Sequence, residues 1–500
     1  MREKTKLLVK FVAFVLVTCL CVGMVNEWLK PKYYYNDVYP STNTFQDFYR
    51  LEKNTVDVLF FGSSHAVCSL NPQVIYDTYG ITSYNLGTEQ QSLVVTYYWL
   101  REALKYQSPK AVVIDTYMLH KFSDNYVYND MNCSEPTVRK AMDNMRLSPL
   151  KWEAAQTIAR TDPTQSSLSY LLPNIRYHSR WTELGEDDFT QSSMVAHGAL
   201  KGFTIMDGTD ETLTYTPFRA EDAEAVEGDI KMEPSATYLR KTIDLCKEKG
   251  IQVILINIPC AESIQRYRST RDFADECGVP FYDFNEATLY NAIGYNAAED
   301  LLSHPNYHGA EKISLYLGNL LAEEYGIAPR QDPSYDVTRL VYQHELENLQ
   351  LQNTLELKDY LAQLNRERYS IFLFAPTAFS ACLDDDTMNA LFALGFSTEL
   401  RGVRDGTHYC AVRDSAGTTE RLTEEDLQFT GSIRGGLTTY AFTVDTSQMT
   451  NKIYQLTVDG IACSNISTGL TIVVYDNEFK EIVDRVNFDT TTEDHTATHY

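Results

Sequence analysis

Two segments of this 500-residue chain hold residue types that could make and break an ester. The first is Val56-Asp57-Val58-Leu59-Phe60-Phe61-Gly62-Ser63-Ser64-His65. A short apolar run ending in small residues reads as a buried strand turning tightly into a helix. The first N–H groups of such a helix have no intrahelical acceptor, and its dipole favours negative charge. A hydroxyl at that point, Ser64, therefore sits in a field suited to a developing oxyanion. Serine is a weak nucleophile until a base removes its proton. The second segment, Asp300-Leu301-Leu302-Ser303-His304-Pro305-Asn306-Tyr307-His308-Gly309-Ala310-Glu311-Lys312, supplies His304 as that base, in a loop just before a helix start. His65 is a rival, but adjacent residues at a helix start point apart. His308 reads as a surface residue.

The elements around these segments must bring them together across more than 200 residues of chain. A helix pattern over Tyr97–Tyr106 leads to the apolar run Ala111–Asp115. Ala236–Lys249 reads as a helix closing at Gly250 before the run Ile251–Ile256. Ser269–Glu276 reads as a helix closing at Gly278 before Val279–Phe284. Strands alternating with helices at this spacing predict an α/β fold with a doubly wound parallel sheet. Sites in such sheets lie at the carboxyl ends of the strands. The alternation breaks between Leu119 and about residue 230, which reads as an insertion over the site. Within it, Arg176, His178 and Arg180 either bind a carboxylate or phosphate or form a local salt-bridged helix end.

Over roughly residues 50–328 these blocks resemble the SGNH/GDSL hydrolase superfamily. The Asn306, Gly309, Ala310 pattern behind His304 resembles its membrane-anchored, cell-envelope branch. The resemblance implies a flavodoxin-like sheet, an acyl-Ser64 intermediate and His304 as base. It also implies an oxyanion hole from the Ser64 amide and from Gly87, in Asn85-Leu86-Gly87. Two departures stand out. The family places an Asp three residues before the His, where this chain has Leu301, with Asp300 one residue further away. Either a longer turn lets Asp300 orient His304, or the enzyme works as a Ser–His dyad. The family also places an Asn after the third strand, where this chain has Asp115-Thr116-Tyr117, leaving the Thr116 hydroxyl as a candidate donor. Loss of one oxyanion donor raises a barrier by about 2.7–4 kcal/mol, so a slow or specialised enzyme is implied. His65, Arg176, His178 and Arg180 are the weaker candidates for substrate contact.

The N-terminus is basic, and Phe11–Val25 is an apolar to weakly polar run. With Leu7–Val9 and Lys10 snorkelling, it can span a bilayer as a signal-anchor helix over residues 1–30. A cleaved signal peptide is the alternative. The basic residues ahead of the run place the remainder outside the cell. The net charge is −25, and the basic Arg2, Lys4, Lys6, Lys10, Lys30 and Lys32 all precede an acidic body. Such a body repels nucleic acid. The ten cysteines are dispersed without metal-ligand or disulfide spacing, so no metal or cofactor is expected, and buried free thiols are. Beyond a helical linker at 331–354, new strands at Ser370–Phe374, Tyr454–Val458 and Leu470–Tyr475 mark a mixed α+β domain over 355–500. Tyr369–Cys410 and Gly469–Thr490 resemble two blocks of the interleukin-like EMT inducer (ILEI/PANDER) domain, in permuted order. That resemblance implies a glycan-holding module; a structural spacer is the alternative.

Taken together, the sequence predicts an outward-facing, membrane-tethered serine esterase or O-acyltransferase. Its substrate would be an acylated surface polysaccharide, and a membrane protein would serve as acyl donor if it transfers. The alternative from another class is a non-catalytic polysaccharide-binding or assembly factor.

Overall fold

The computed structural model describes residues 2–31, 41–121, 135–161, 165–185, 188, 199–226, 228, 230, 232–448 and 450–500. The chain divides into two compact units at 342/343. In the first, β1 (Val58–Phe61), β2 (Ser83–Asn85), β3 (Ala111–Asp115), β4 (Gln252–Asn257) and β5 (Phe281–Asp283) form a sheet in the order β2-β1-β3-β4-β5, and every neighbouring pair is parallel. Parallel strands need crossovers, and these strands are buried on both faces. In β1, Leu59 and Phe61 join Val112, Ile114, Val253 and Leu255 in one core. Val58 and Phe60 join Val113, Ile254 and Ile256 in another. This is the doubly wound sheet expected from the alternation.

The helices preceding the insertion are α1 (Arg2–Leu29), α2 (Ser41–Phe48), α3 (Ser64–Ser69), α4 (Pro72–Tyr79) and α5 (Leu93–Ala103). Within it lie α6 (Glu135–Asn144), α7 (Pro149–Thr161), α8 (Ser167–Leu171) and α9 (Asn174–Tyr177). Helix α5 starts four residues earlier than the periodicity predicts, because the Ser92 hydroxyl caps the Val95 N–H. Of the segment 31–50 between α1 and β1, residues 32–40 lie outside the described residues. Its end is helix α2, whose Phe45 and Phe48 are fully buried. Ser235–Glu248 and Ile264–Cys277 are the helices before β4 and β5.

The outer edge of β2 is closed by side chain and loop. Tyr335 Oη accepts from Ser83 N–H at 2.7 Å and donates to Ser83 O at 2.9 Å, and Asn85 N–H donates to Lys201 O at 2.9 Å. Tyr335 is itself stacked on Tyr76 at 3.8 Å. In the segment expected as a helical linker, the helix Ser334–Gln352 begins packed on this edge and contains the unit boundary.

In the second unit, β6 (Tyr369–Ala375), β7 (His408–Asp414), β8 (Gly417–Thr423), β13 (Leu470–Asp476), β14 (Glu481–Phe488) and β15 (Ala497–His499) form one sheet. A second holds β9 (Leu427–Ile433), β10 (Thr438–Asp445), β11 (Ile453–Val458) and β12 (Ile461–Ser464). Neighbouring strands are antiparallel. Strand β6 feeds two cores by alternation. Ile371 and Leu373 face Tyr360, Leu361, Met388 and Leu391 on helices; Phe372 and Phe374 face Phe429, Phe442 and Leu456 of the other sheet. The hairpins β7–β10 went unread in the sequence because polar residues run through them, as in Gly417–Thr423, and break up any apolar run.

Tyr335→Phe should leave the buried Ser83 N–H and C=O unpaired and lower the stability of the first unit by about 1–3 kcal/mol. All four tryptophans (Trp28, Trp99, Trp152, Trp181) lie in that unit, so a urea titration followed by tryptophan emission reads it alone. An unchanged midpoint would show that water replaces the hydroxyl.

Candidate active site

The turn after β1 is built by close approach. A Cβ on Gly62 would lie 2.6 Å from Asp115 Cβ and 2.8 Å from Ala66 Cβ, so only glycine lets α3 start there. Ser63 is the N-cap of α3, its Oγ accepting from His65 N–H at 3.3 Å. The same hydroxyl donates to Asp115 Oδ2 at 3.0 Å, where Ser63 N–H also points at 3.4 Å. Asp115 Oδ1 accepts from Tyr117 N–H at 3.3 Å. Asp115 thus fastens the end of β3 to the nucleophile turn. Burial pushes its carboxyl up to about 7, against the opposing pull of these hydrogen bonds. The sequence reading passed over Asp115; an acid closing the strand beside the nucleophile strand was the available signal.

Ser64, the first residue of α3, places Oγ 2.8 Å from His304 Nε2. The imidazole arrives on a constrained loop. Leu301 and Ser303 have φ of +64° and +66°, a region costly for residues with a side chain. Asn306 N–H closes the loop onto Asp300 O at 3.0 Å, Tyr295 Oη donates to Leu301 O at 2.7 Å, and Ser303 N–H donates to Pro259 O at 2.8 Å. Burial lowers the His304 pKa, which keeps the ring neutral and able to accept a proton.

Asp300 occupies a different place from the one expected of a triad acid. Its buried carboxylate is gripped by Lys312 Nζ, at 2.9 Å to Oδ1 and 2.6 Å to Oδ2, and Oδ2 also accepts from Asn296 N–H at 2.7 Å. The extra residue before His304 turns the acid inward, where it braces the base of the loop. The two further oxyanion candidates are also engaged: Gly87 N–H donates to Asn85 Oδ1 at 3.0 Å, and Thr116 Oγ1 donates to Ile256 O at 3.0 Å. The Ser64 amide, at the first position of α3, keeps the orientation of a helix-start donor.

His65 is buried rather than facing substrate. Its ring stacks on Tyr117 at 3.7 Å and meets His304 edge-on at 5.3 Å. Burial, with His304 and Lys121 adding to it, holds its pKa well below the usual histidine range, so it forms a neutral shelf beside the base. Arg180 belongs to the N-terminal helix, donating to Leu29 O at 2.8 Å and to Asp188 at 2.8 Å. Arg176 and His178 are exposed on the neighbouring turns. The three form a helix-end cluster against α1. A strap from the end of the insertion does reach the site: Thr204 N–H donates to Val67 O of α3, Met206 O accepts from Tyr307 N–H, and Gly208 O accepts from Asn306 Nδ2.

No family model and no curated protein matches the chain. Among solved structures, a GDSL-like lipase from Bacteroides thetaiotaomicron is similar at 11% identity, covering 57% of this chain and 99% of that one, with a TM-score of 0.26. A catalytic mutant of an acetylxylan esterase from Geobacillus stearothermophilus is similar at 12% identity over 54% and 94% of the two chains, with a TM-score of 0.25. Identities and scores this low leave the chemistry to the geometry of the site itself.

Two outcomes follow from the ionisation of these groups. Because the neutral imidazole is the active form, the acid limb of kcat/KM for an ester should have its midpoint below the ordinary histidine value of about 6.5; a midpoint above that would exclude a buried His304 as the base. Asp115 has a folded pKa near 7, above its unfolded value of about 3.9. The folded state therefore binds the extra proton, and this contribution to stability is present at low pH and lost as pH rises through 7. Asp115→Asn should remove that slope, so the stability of the variant relative to the parent climbs between about pH 4 and 7. Parallel pH–stability curves would show that Asp115 ionises as freely folded as unfolded.

Proposed function

We propose that this chain is a membrane-tethered serine esterase or O-acyltransferase acting on acyl esters of a cell-surface polysaccharide, acetyl esters foremost. The 2.8 Å contact between Ser64 Oγ and His304 Nε2 at the carboxyl edge of a parallel sheet carries this reading. In the first half-reaction Ser64 Oγ bonds to the acyl carbonyl carbon while its proton passes to His304 Nε2. The tetrahedral oxyanion faces the amide of Ser64 and the start of α3. Collapse breaks the bond to the sugar oxygen, which leaves with the proton from His304. Water or a second sugar hydroxyl, deprotonated by His304, then attacks the acyl-Ser64 ester and frees the serine. Water gives hydrolysis and a hydroxyl gives transfer; a membrane acyl-donor protein would serve the latter.

The helix Lys4–Leu29 is long and apolar enough to cross a membrane. With the basic residues at its start, it supports a single-pass protein with residues beyond 30 outside the cell. The second unit, with its two packed antiparallel sheets, is proposed as the glycan-holding part. A second reading has one observation in its favour: the engaged Gly87 N–H and Thr116 hydroxyl leave a sparse oxyanion hole, as a polysaccharide-binding or assembly factor on the same fold would tolerate.

Labelling of the full chain with a fluorophosphonate separates the two. Label should enter at Ser64 and vanish in Ser64→Ala, with His304→Ala lowering aryl-acetate turnover by about 10³-fold or more. An unlabelled, folded parent protein, or turnover that survives Ser64→Ala, gives the binding reading. Asp300→Asn should weaken turnover through a loosened His304 loop, and Lys312→Met should reproduce the loss. A full effect of the first with none of the second would instead place Asp300 on the imidazole.

A further inference from the structure

An apolar edge of the first unit lies beside the membrane-crossing helix, far from where a water-facing surface belongs. The last turn of α1 is tied to the body: Asn26 Oδ1 accepts from Asn174 N–H at 3.0 Å, Arg180 donates to Leu29 O, and Leu29 packs on Tyr177. From that junction a cleft of about 560 Å³ runs back along α1. Thr18, Cys19, Val22 and Gly23 line it from α1 and Leu147, Leu172 and Pro173 from the body, and its lining also holds the polar Glu27, Lys30, Asp143 and Lys151. At 1.5 Å per residue, Thr18 lies roughly 16 Å before Leu29 along the helix axis. A hydrocarbon core is about 30 Å thick, so the body residues facing Thr18–Gly23 stand at acyl-chain depth, not in water.

Those residues have the chemistry that depth requires. Leu147 is 74% exposed, and Leu168 on α8, Leu172 just after it and Ile175 on α9 are exposed as well. Leu168 and Leu172 are one helical turn apart and share a face. Trp181, next to the Arg180 that holds Leu29, is 71% exposed, the residue type that settles at a lipid–water interface. Arg146, Arg176 and His178 lie among them, suited to lipid phosphates. Exposed large apolar side chains gathered in this way mark interaction surfaces more often than water-facing ones.

Resting on the anchor reading, we propose that the edge formed by Leu147, Leu168, Leu172, Ile175 and Trp181 is embedded in the phospholipid leaflet around α1, with acyl chains filling the cleft. The protein thus sits in its leaflet and does not stand off on a flexible tether, so an acyl-bearing substrate is met at the membrane surface.

The test uses the full chain in phosphatidylcholine–phosphatidylglycerol vesicles, with Trp28→Phe and Trp152→Phe leaving Trp181 and the fully buried Trp99. Lipids brominated near the headgroup should remove most of the Trp181 emission, and Trp181→Phe should abolish the quenching. Leu147→Glu with Leu172→Glu, both on exposed positions, should reduce it. Alkaline carbonate extraction runs alongside. Unquenched Trp181 in a carbonate-resistant protein overturns the embedding and leaves the anchor standing. Extraction by carbonate fails the anchor and the embedding together. A Trp181 untouched by bromine in lipid vesicles whose position crosslinks to a second polypeptide in native membranes assigns the edge to a protein partner and overturns the proposal.

Discussion

Ser64 and His304 are 240 residues apart and meet at 2.8 Å, and much of the first unit can be understood as the apparatus that holds this contact. A side-chain hydrogen bond between two mobile residues contributes little net stability, about 1 kcal/mol. Its geometry therefore has to be imposed by the backbone on either side. On the serine side the constraint is steric: Gly62 lets α3 begin against Asp115, and the Ser63–Asp115 hydrogen bonds fix the turn. On the histidine side it is a loop with two residues at positive φ, stitched to Pro259 and closed on itself between Asp300 and Asn306.

The same economy explains the buried charges around the site. Asp300 is not left as an isolated anion: Lys312, one turn and more into the following helix, neutralises it, and Asn296 caps it. Asp115 has hydrogen-bond donors but no such cation among the described residues, and its pKa rises accordingly. Two carboxyls close to one site thus differ in kind, one a fixed anion that braces a loop, the other a group that burial holds close to neutrality. His65 adds a third buried group, neutral because it is dry, lying against the base without competing for its role.

The insertion between β3 and β4 connects the candidate site with the N-terminal helix α1. Its first described part, α6 to α9, meets α1; its last, around Thr204–Asp210, ties α3 to the His304 loop. A single excursion of chain therefore borders both α1 and the Ser64–His304 pair.

Much of this was written in the sequence by local rules. Apolar runs of four to six residues alternating with amphipathic helices read as buried parallel strands, so β1, β3, β4 and β5 were legible, as was an N-terminal helix long and apolar enough to cross a membrane. The nucleophile turn was legible because small residues at a strand end are a steric requirement. Other features depended on distant partners. The three-residue β2 pairs with β1 on one side, and Tyr335 and Lys201 take up the polar groups of its other edge. Asp300, one residue off the family spacing, could in sequence either orient His304 or not; Lys312 and Asn296 decide where its carboxylate points. Gly87 matched by order and Thr116 stood in for a missing Asn, but Asn85 and Ile256 take their donors. Periodicity and spacing fix which residues share a face; which hydrogen bond a polar group makes is settled by competition among neighbours that only the folded chain brings within 3 Å.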